Sequence, residues 1–476
     1  MPIKSPLTCD FCVIGAGSGG LSFAAGAAQM GASVILLEAK AMGGDCLNDG
    51  CVPSKALLAA AHFKKTFMHS ADFGWTVNAA TVNFKKVHAH VHQVIKNIAP
   101  NDSVERFEKL GVRVIREFGH FVDAKTVETA THSIRAKRFI IATGSHPALP
   151  PIPGLNAISY YTNESIFTLE TLPSHLLVIG GGPIGIEMAQ AFCRLGSQVT
   201  VLEAFSVLPK DEPEMVVALK NILTKEGIAL HEHASITLLK PTENGIECHF
   251  KNTQENKLLA SHVLIAAGRR PNLEHLQLDL AGIQTSPQGI LVNKHLQSSN
   301  KKVYAIGDCT GGYQFTHVAS YHAGLTLQNT IFKWRAQVKT QAIPWVTYTD
   351  PELAHVGFLE HQLISQKIPY KTLKMDFKDN DRAQAERCTD GSIKILVCKK
   401  GHILGATILG KHAGELIYPW VMAIQNHLKI ISIASTIAPY PTFVEINKRV
   451  AGSYYSEKLF STRMKKLVKW LMRITY

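Results

Sequence analysis

The sequence predicts an α/β protein in which two copies of a βαβ unit precede a C-terminal α+β segment. Three observations carry this. Residues 10–38, "DFCVIGAGSGGLSFAAGAAQMGASVILLE", place an apolar strand, a glycine turn, a helix of small residues and a second strand in succession. The same order returns at 175–203, "HLLVIGGGPIGIEMAQAFCRLGSQVTVLE". Beyond residue 343, short apolar runs such as "SIKILVC" and "ILGATILG" read as strands. The 476 residues suit about three domains, and 46% hydrophobic with 18% charged content excludes a disordered chain.

Each part of the first unit has a physical task. Gly15 permits the tight turn, Gly17 lets the backbone approach a pyrophosphate at the helix N-terminus, and Gly20 lets helix and strand pack closely. Ser18 and Gly19 complete the loop, and Glu38 closes the second strand, where a carboxylate accepts hydrogen bonds from a ribose. The second unit repeats this with Gly180, Gly182, Ile184, Gly185 and Glu203. Two Rossmann-like domains imply two dinucleotides, or one and a relic. The acid at Glu203 favours a free 2′-hydroxyl, and the following "AFSVLP" offers no cation for a 2′-phosphate, so NADH is favoured over NADPH.

Between the units lies "GGDCLNDGCVPSK" (43–55), with Cys46 and Cys51. The chain has nine cysteines, an odd number mostly in apolar surroundings, which is cytosolic usage. A structural disulfide closing so short a loop would remove little unfolded-state entropy. A zinc claw needs a second Cys or His pair at finger-like spacing, and none matches, so no metal site is expected. Pro53 and "SKALLAAAHF" read as a helix start, placing Cys51 at or just before an N-terminus that stabilises a thiolate. Further along, "GVRVIREFGHFVDAKTVETA" reads as hairpins, "GIALHEHASITLLK" and "GIECHF" as strands, and "LPPIPG" (149–154) as a boundary.

With Cys46-x4-Cys51 after the first unit, the chain resembles the flavin-dependent pyridine nucleotide–disulfide oxidoreductases, which include dihydrolipoamide dehydrogenase, glutathione reductase and mercuric reductase. The resemblance is collinear, through "IIATGSHP" (140–147), "IAAGRRPN" (265–272), "VYAIGDCTG" (303–311) and "YTDPELAHVG" (348–357). It implies FAD in a domain of residues 1–152 and 273–343, the nicotinamide cofactor in 153–272, and dimerisation through 344–476. It also implies roles. Cys46 is the interchange thiol, Cys51 the thiolate against the flavin, and Lys55 and Glu187 a pair near the flavin N5. Gly44, Gly119, Thr143, Gly144, Gly307, Asp308, Thr316 and Ala319 join the FAD site, and Gly268 and Arg269 lie at the end of the nicotinamide domain. The homodimer's active site is completed by the partner subunit.

Where disulfide-reducing members carry His-Pro-Thr-x-x-Glu, this chain has "PYPTFVE": Tyr440 replaces the histidine and Glu445 is retained. A tyrosine titrates near pH 10, so Tyr440 is a poor base at neutral pH; His412 or His427 are the alternatives. Tyr440, "GGYQFTHVASYHAG" and "NDRAQAE" are similar to the branch around mercuric reductase, yet no cysteine follows Cys398 to form that enzyme's C-terminal pair. The expected function is therefore electron transfer from NAD(P)H through FAD and the cysteines to a small disulfide or thiol-bound metal. The alternatives are dihydrolipoamide dehydrogenase, direct flavin transfer to a quinone, metal or oxygen, and a docking flavoprotein subunit.

The net charge of +13 invites a nucleic-acid partner, but no zinc-finger spacing, RNP strand or basic arm accompanies it, so none is expected. Much of the excess lies in 456–474, "SEKLFSTRMKKLVKWLMRI", where Phe460, Met464, Leu467, Leu471 and Ile474 share one helical face and Lys458, Lys465, Lys466, Lys469 and Arg473 the other. Such a helix either packs on its own fold or rests on a membrane surface. No signal peptide is read and no run approaches roughly 18 apolar residues, so a cytoplasmic protein is expected, peripheral to the inner membrane face at most.

Overall fold

The computed structural model describes residues 6–76 and 81–474. The chain forms two compact units, one within Met1–Ser206 and Ile228–Val338, the other within Val207–Gly227 and Lys339–Tyr476.

The first unit opens with β1 (Leu7–Ile14), α1 (Ser18–Gln29) and β2 (Val34–Leu37), β1 and β2 pairing in parallel. There follow α2 (Gly44–Asn48), α3 (Cys51–Met68), α4 (Phe84–Ile98), α5 (Val104–Lys109), β3 (Val112–Ile115), β4 (His120–Asp123), β5 (Thr126–Glu128) and β6 (Ser133–Ile141). The sheet order is β3-β2-β1-β6-β5-β4. All four residues of β2 are buried, as expected of a strand covered on both faces. The hairpin expectation needs one correction: β4 and β5 are antiparallel, but β3 pairs with β2 in parallel. Helix α5 supplies the approach, since parallel neighbours need a crossover where a tight turn cannot serve.

The second glycine unit is built likewise. After β7 (Ser145–Pro147) come β8 (His175–Ile179), α6 (Pro183–Leu195) and β9 (Gln198–Leu202); α7 (Pro213–Lys225) groups with the other unit. Then β10 (Ala229–His231) precedes the antiparallel β11 (Ser235–Thr242), β12 (Gly245–Lys251) and β13 (Glu255–Ala260), followed by β14 (His262–Ile265) and β15 (Arg269–Pro271). A parallel sheet β10-β9-β8-β14 results. Strand β15 pairs with β7, and a small hairpin of β16 (Thr285–Ser286) and β17 (Gly289–Ile290) follows. The chain then returns through β18 (Val303–Ala305) to lie parallel to β6, ahead of α8 (Thr316–Leu327).

The second unit centres on β19 (Trp345–Thr347), β20 (Glu352–Gly357), β21 (Lys371–Asp376), β22 (Ser392–Val397) and β23 (Ile403–Gly410), antiparallel in the order β19-β20-β23-β22-β21. Around it run α9 (Glu360–Ser365), α10 (Asp381–Ala385), α11 (Ala413–Leu416), α12 (Tyr418–Gln425), α13 (Ile430–Ala434), α14 (Glu445–Leu459) and α15 (Thr462–Ile474). The tail is thus two helices and not one, and Phe460 falls in the break between them.

A lysine lies inside this unit. Lys394 on β22 is almost fully buried, and its Nζ reaches Glu212 at 2.9 Å, Glu214 at 2.7 Å and Glu360 at 2.6 Å. Burial opposes its charge, but the three carboxylates outweigh burial and hold it protonated. Removing one member of a buried ionic cluster leaves uncompensated charge, so Lys394→Met is expected to cost about 3–5 kcal/mol. Denaturant unfolding checks this, and a loss under about 1 kcal/mol would show that the cluster relaxes into water.

Candidate active site

The cysteine centre starts where the chain leaves β2. Gly43 and Gly44 both take positive φ, 91° and 60°, and turn the backbone into α2, a single turn that carries Cys46. Helix α3 then begins at Cys51 itself, with Gly50 as its cap. Long-range contacts clamp the loop. Asp45 accepts from Asn163 Nδ2 at 2.8 Å and pairs with Arg269 at 3.3 Å, and the same Asn163 amide reaches the Asp49 carbonyl at 3.2 Å. A Cβ at Gly50 would sit 2.9 Å from the Asp45 carboxylate and 3.0 Å from the Asp45 carbonyl oxygen, so a side chain there would crowd Asp45. Burial, with Asp45 and Glu164 nearby, raises the Asp49 carboxyl to about 6.

Both thiols are free, Cys46 half-buried and Cys51 exposed. Their electrostatics differ in sign. The Cys51 thiol is lowered to about 6, chiefly by its hydrogen bond with Cys46, then by Thr316 and the charge of Lys55, against the opposing effect of burial. Cys46 moves upward, because it holds the shared proton and because burial penalises its charge. Thr316, the first residue of α8, brings its Oγ1 within 3.4 Å of Cys51 Sγ. The arrangement therefore supports a thiolate at Cys51 beside a protonated Cys46. One turn into α3, Lys55 Nζ lies 2.8 Å from Glu187 Oε2, a carboxylate buried on α6.

The glycine loops fit dinucleotides. A Cβ at Gly15 would meet the Ala142 carbonyl oxygen at 2.4 Å, and one at Gly20 would meet the Gly15 oxygen at 1.9 Å. Gly17 and Gly44 face each other so closely that a Cβ on Gly44 would lie 2.7 Å from Gly17 Cα. Glu38 is aimed by the Ala16 and Lys40 amides at 2.7 and 2.6 Å. Gly119 packs beneath, where a Cβ would meet Leu37 Cδ1 at 2.4 Å, and Gly19 lies against Ala319. In the second loop, Cβ atoms on Gly180 and Gly185 would strike the Ala266 and Gly180 oxygens at 2.4 and 2.1 Å, while Gly182 has open space and Ile184 is exposed. Glu203 accepts from the Gly181 and Phe205 amides at 2.6 and 2.8 Å. These two cradles suit the pyrophosphate and ribose of FAD and of a nicotinamide dinucleotide.

A polar chain joins the remaining residues. Arg269 Nε donates to Ser145 Oγ at 2.7 Å, and Ser145 Oγ donates to Asp308 Oδ2 at 2.6 Å. Burial raises the Asp308 carboxyl. Thr143 and Asn272 exchange hydrogen bonds at 2.7 and 2.8 Å, and Gly144, Gly268 and Gly307 all take positive φ. Sequence reasoning missed Asp45, Asn163, Ser145 and Asn272: Asp45 sits on the single turn of α2, Ser145 opens the short β7, the other two lie in loops, and all four find partners more than 100 residues away.

Tyr440 and Glu445 belong to the second unit, and within the chain the structure does not group them with the cysteines. Tyr440 is exposed, and its hydroxyl donates to Asp381 Oδ2 at 3.1 Å. That bond, and the negative charge of Asp381, raise the phenol further. Glu445 opens α14. His412 is stacked edge-on to Phe443 at 5.6 Å, and the His427 carbonyl accepts from His402 at 3.1 Å.

Two dinucleotide cradles and a polarised cysteine pair in one chain define a flavin-dependent disulfide oxidoreductase. The chain belongs to the pyridine nucleotide-disulphide oxidoreductase family, which residues 9–323 match, with that family's dimerisation domain at 343–451. It is 34% identical over 451 residues to the mercuric reductase of Staphylococcus aureus, covering 94% of this chain and 82% of that protein. It is 36% identical over 449 residues to the dihydrolipoyl dehydrogenase of Geobacillus stearothermophilus, covering 92% and 94%. Among solved structures it is similar to the Cu(II) complex of the HOCl-induced flavoprotein disulfide reductase RclA from Escherichia coli, with a TM-score of 0.84, 25% identity and coverage of 92% and 99%. The family uses FAD and pyridine nucleotides, and its dimerisation domain supports a homodimer. No described helix is long and apolar enough to cross a membrane.

Proposed function

We propose that the enzyme takes electrons from NADH and delivers them through Cys46 and Cys51 to a small disulfide or a thiol-bound metal ion, in the manner of mercuric reductase. The observation that carries this is the cysteine pair, with a Cys51 thiolate at the start of α3 beside a protonated Cys46. Bound FAD supplies hydride acceptance and two-electron delivery to sulfur. Its residues would be Gly15, Gly17, Ser18, Gly20, Glu38, Gly44, Asp308 and Thr316, in a domain of 1–152 with 273–343. Gly180, Gly182, Gly185 and Glu203 would hold NADH in 153–272; the exposed Phe205 and the absence of a cation in "AFSVLP" favour it over NADPH.

The chain's residues then do the following. Cys46, the thiol that meets substrate, attacks one substrate sulfur while the other leaves and takes up a proton. Cys51 attacks Cys46 Sγ, expels the second substrate thiol and closes the Cys46–Cys51 disulfide. Lys55, held by Glu187, supplies a positive charge one turn from Cys51. Tyr440 and Glu445, contributed by the partner subunit, would face Cys46. Tyr440 stays protonated with its proton donated to Asp381, so it brings no base to Cys46, which favours soft-metal ligand exchange over histidine-assisted disulfide exchange. The enzyme would work in the cytoplasm, with 456–474 as a peripheral contact with the membrane's inner face.

Anaerobic titration with NADH tests this reading. Two electrons should produce a long-wavelength thiolate-to-flavin absorption. Acidification should bleach it with a midpoint near the Cys51 value of about 6, since the thiolate is present above that pH and lost below it. Absence of the band, with a Cys46→Ser protein still reducing acceptors, would favour direct flavin transfer. Turnover with lipoamide, glutathione disulfide and Hg(II) then ranks the acceptors.

A further inference from the structure

Helix α15 (Thr462–Ile474) lies beyond the 343–451 segment that matches the family's dimerisation domain. Its neighbour α14 anchors itself in the second unit's core through Ile446, Val450 and Ala451. Helix α15 has no buried residue. Every residue from Lys465 to Ile474 is exposed, including Trp470 at 58%, Met472 at 62% and Ile474 at 62%.

The exposed residues are sorted by face. At 100° per residue, Leu467 and Ile474 share one side with the half-buried Met464, flanked by Val468 and Trp470. Lys465, Lys466, Lys469 and Arg473 gather opposite, Arg463 adds a fifth cation, and the helix contains no acid. A surface helix that packed on its own fold would hide the apolar side, and α15 does not. The complement of such a helix is both apolar and anionic. A bilayer with acidic headgroups offers both in one plane, with acyl chains for Trp470 and Leu467 and phosphates for the lysines.

The geometry points to α15 as an interfacial helix that lies on an anionic lipid surface. This deepens the membrane contact proposed above and requires nothing of the cysteine centre. No described helix can span a bilayer, so the contact is peripheral and reversible.

Co-sedimentation of the full-length holoenzyme with phosphatidylcholine vesicles, with and without phosphatidylglycerol, tests it. Binding to the anionic vesicles should exceed binding to the neutral ones by about tenfold or more, and should fall steeply with added salt as the phosphates are screened. Deleting 462–476 should abolish it, the pair Lys465→Glu and Lys469→Glu should weaken it at least about tenfold, and Trp470→Phe should remove a blue shift of emission on binding. The truncated holoenzyme should keep its NADH-driven turnover in vesicle-free buffer, so failed vesicle binding leaves the reductase reading standing. Equal binding to both vesicle types, or binding that survives the deletion, would overturn the inference. Tail-dependent retention on immobilised polyglutamate without vesicle binding would also overturn it, in favour of an acidic protein partner.

Discussion

Replacing Cys51 with serine is expected to lower acceptor turnover by about 10³-fold or more, since nucleophile and electron relay are lost together. The NADH-induced long-wavelength absorption should vanish with it. FAD should stay bound, because both glycine cradles are built from other residues. The partner substitution, Cys46→Ser, should behave differently. Turnover should fall comparably, but Cys51 keeps its sulfur. The largest cause lowering the Cys51 thiol is its hydrogen bond with Cys46, so Cys51 should titrate higher in that variant, with Thr316 and Lys55 still favouring the thiolate. With no disulfide to reduce, the absorption should therefore be present in this variant before NADH is added, should be bleached and not produced by NADH, and should require a higher pH than in the native protein. Stopped-flow reduction with NADH, followed by a pH series, measures both effects. An unshifted titration in Cys46→Ser would mean that Lys55 and Thr316 alone stabilise the thiolate. Undiminished turnover in either variant would remove the cysteine relay.

What was legible in the sequence follows from how local each cause is. The two glycine loops were readable because strand, turn and helix follow one another directly and part of their steric constraint is local: Gly20 meets the Gly15 oxygen and Gly185 the Gly180 oxygen, each at the preceding strand's end. Cys51 at a helix start was readable because Pro53 and the alanine-rich run after it are local signals. The direction of β3 was not, because a buried apolar strand looks the same whether its neighbour runs parallel or antiparallel. Nor was the clamp of Asn163 and Arg269 on Asp45, since no period links residues 45, 163 and 269. Lys394 sits mid-strand in "SIKILVC" and reads as a surface cation, yet its carboxylates come from residues 212, 214 and 360. The substitution at Tyr440 was visible, but its partner was not. Asp381 stands 59 positions earlier, in a stretch recognised only by resemblance.

That partner sharpens the other large effect, which is a gain. Tyr440→His is expected to raise reduction of lipoamide or glutathione disulfide by about 10²-fold, the lower end of what a positioned general base supplies. In the native protein Tyr440 cannot take this part at neutral pH. The phenol starts near 10, and the hydrogen bond to Asp381 and that residue's charge move it further up. Asp381→Asn should lower the phenol again, but not to neutrality, so disulfide turnover should stay low in that variant. A histidine at 440 titrates near neutral pH, and the carboxylate of Asp381 would favour its protonated form. The disulfide activity of Tyr440→His should therefore be lost on acidification, as the imidazole fills, and combining it with Asp381→Asn should move that limb to lower pH. Turnover of a thiol-bound metal should respond the opposite way, falling or holding steady as the hydroxyl is removed. The pH profiles of kcat/KM for both acceptor types, in the native protein and these variants, separate the effects. If Tyr440→His gains no disulfide activity while its dimer and flavin remain intact, the identity of this side chain does not set the acceptor, and the preference must lie nearer Cys46.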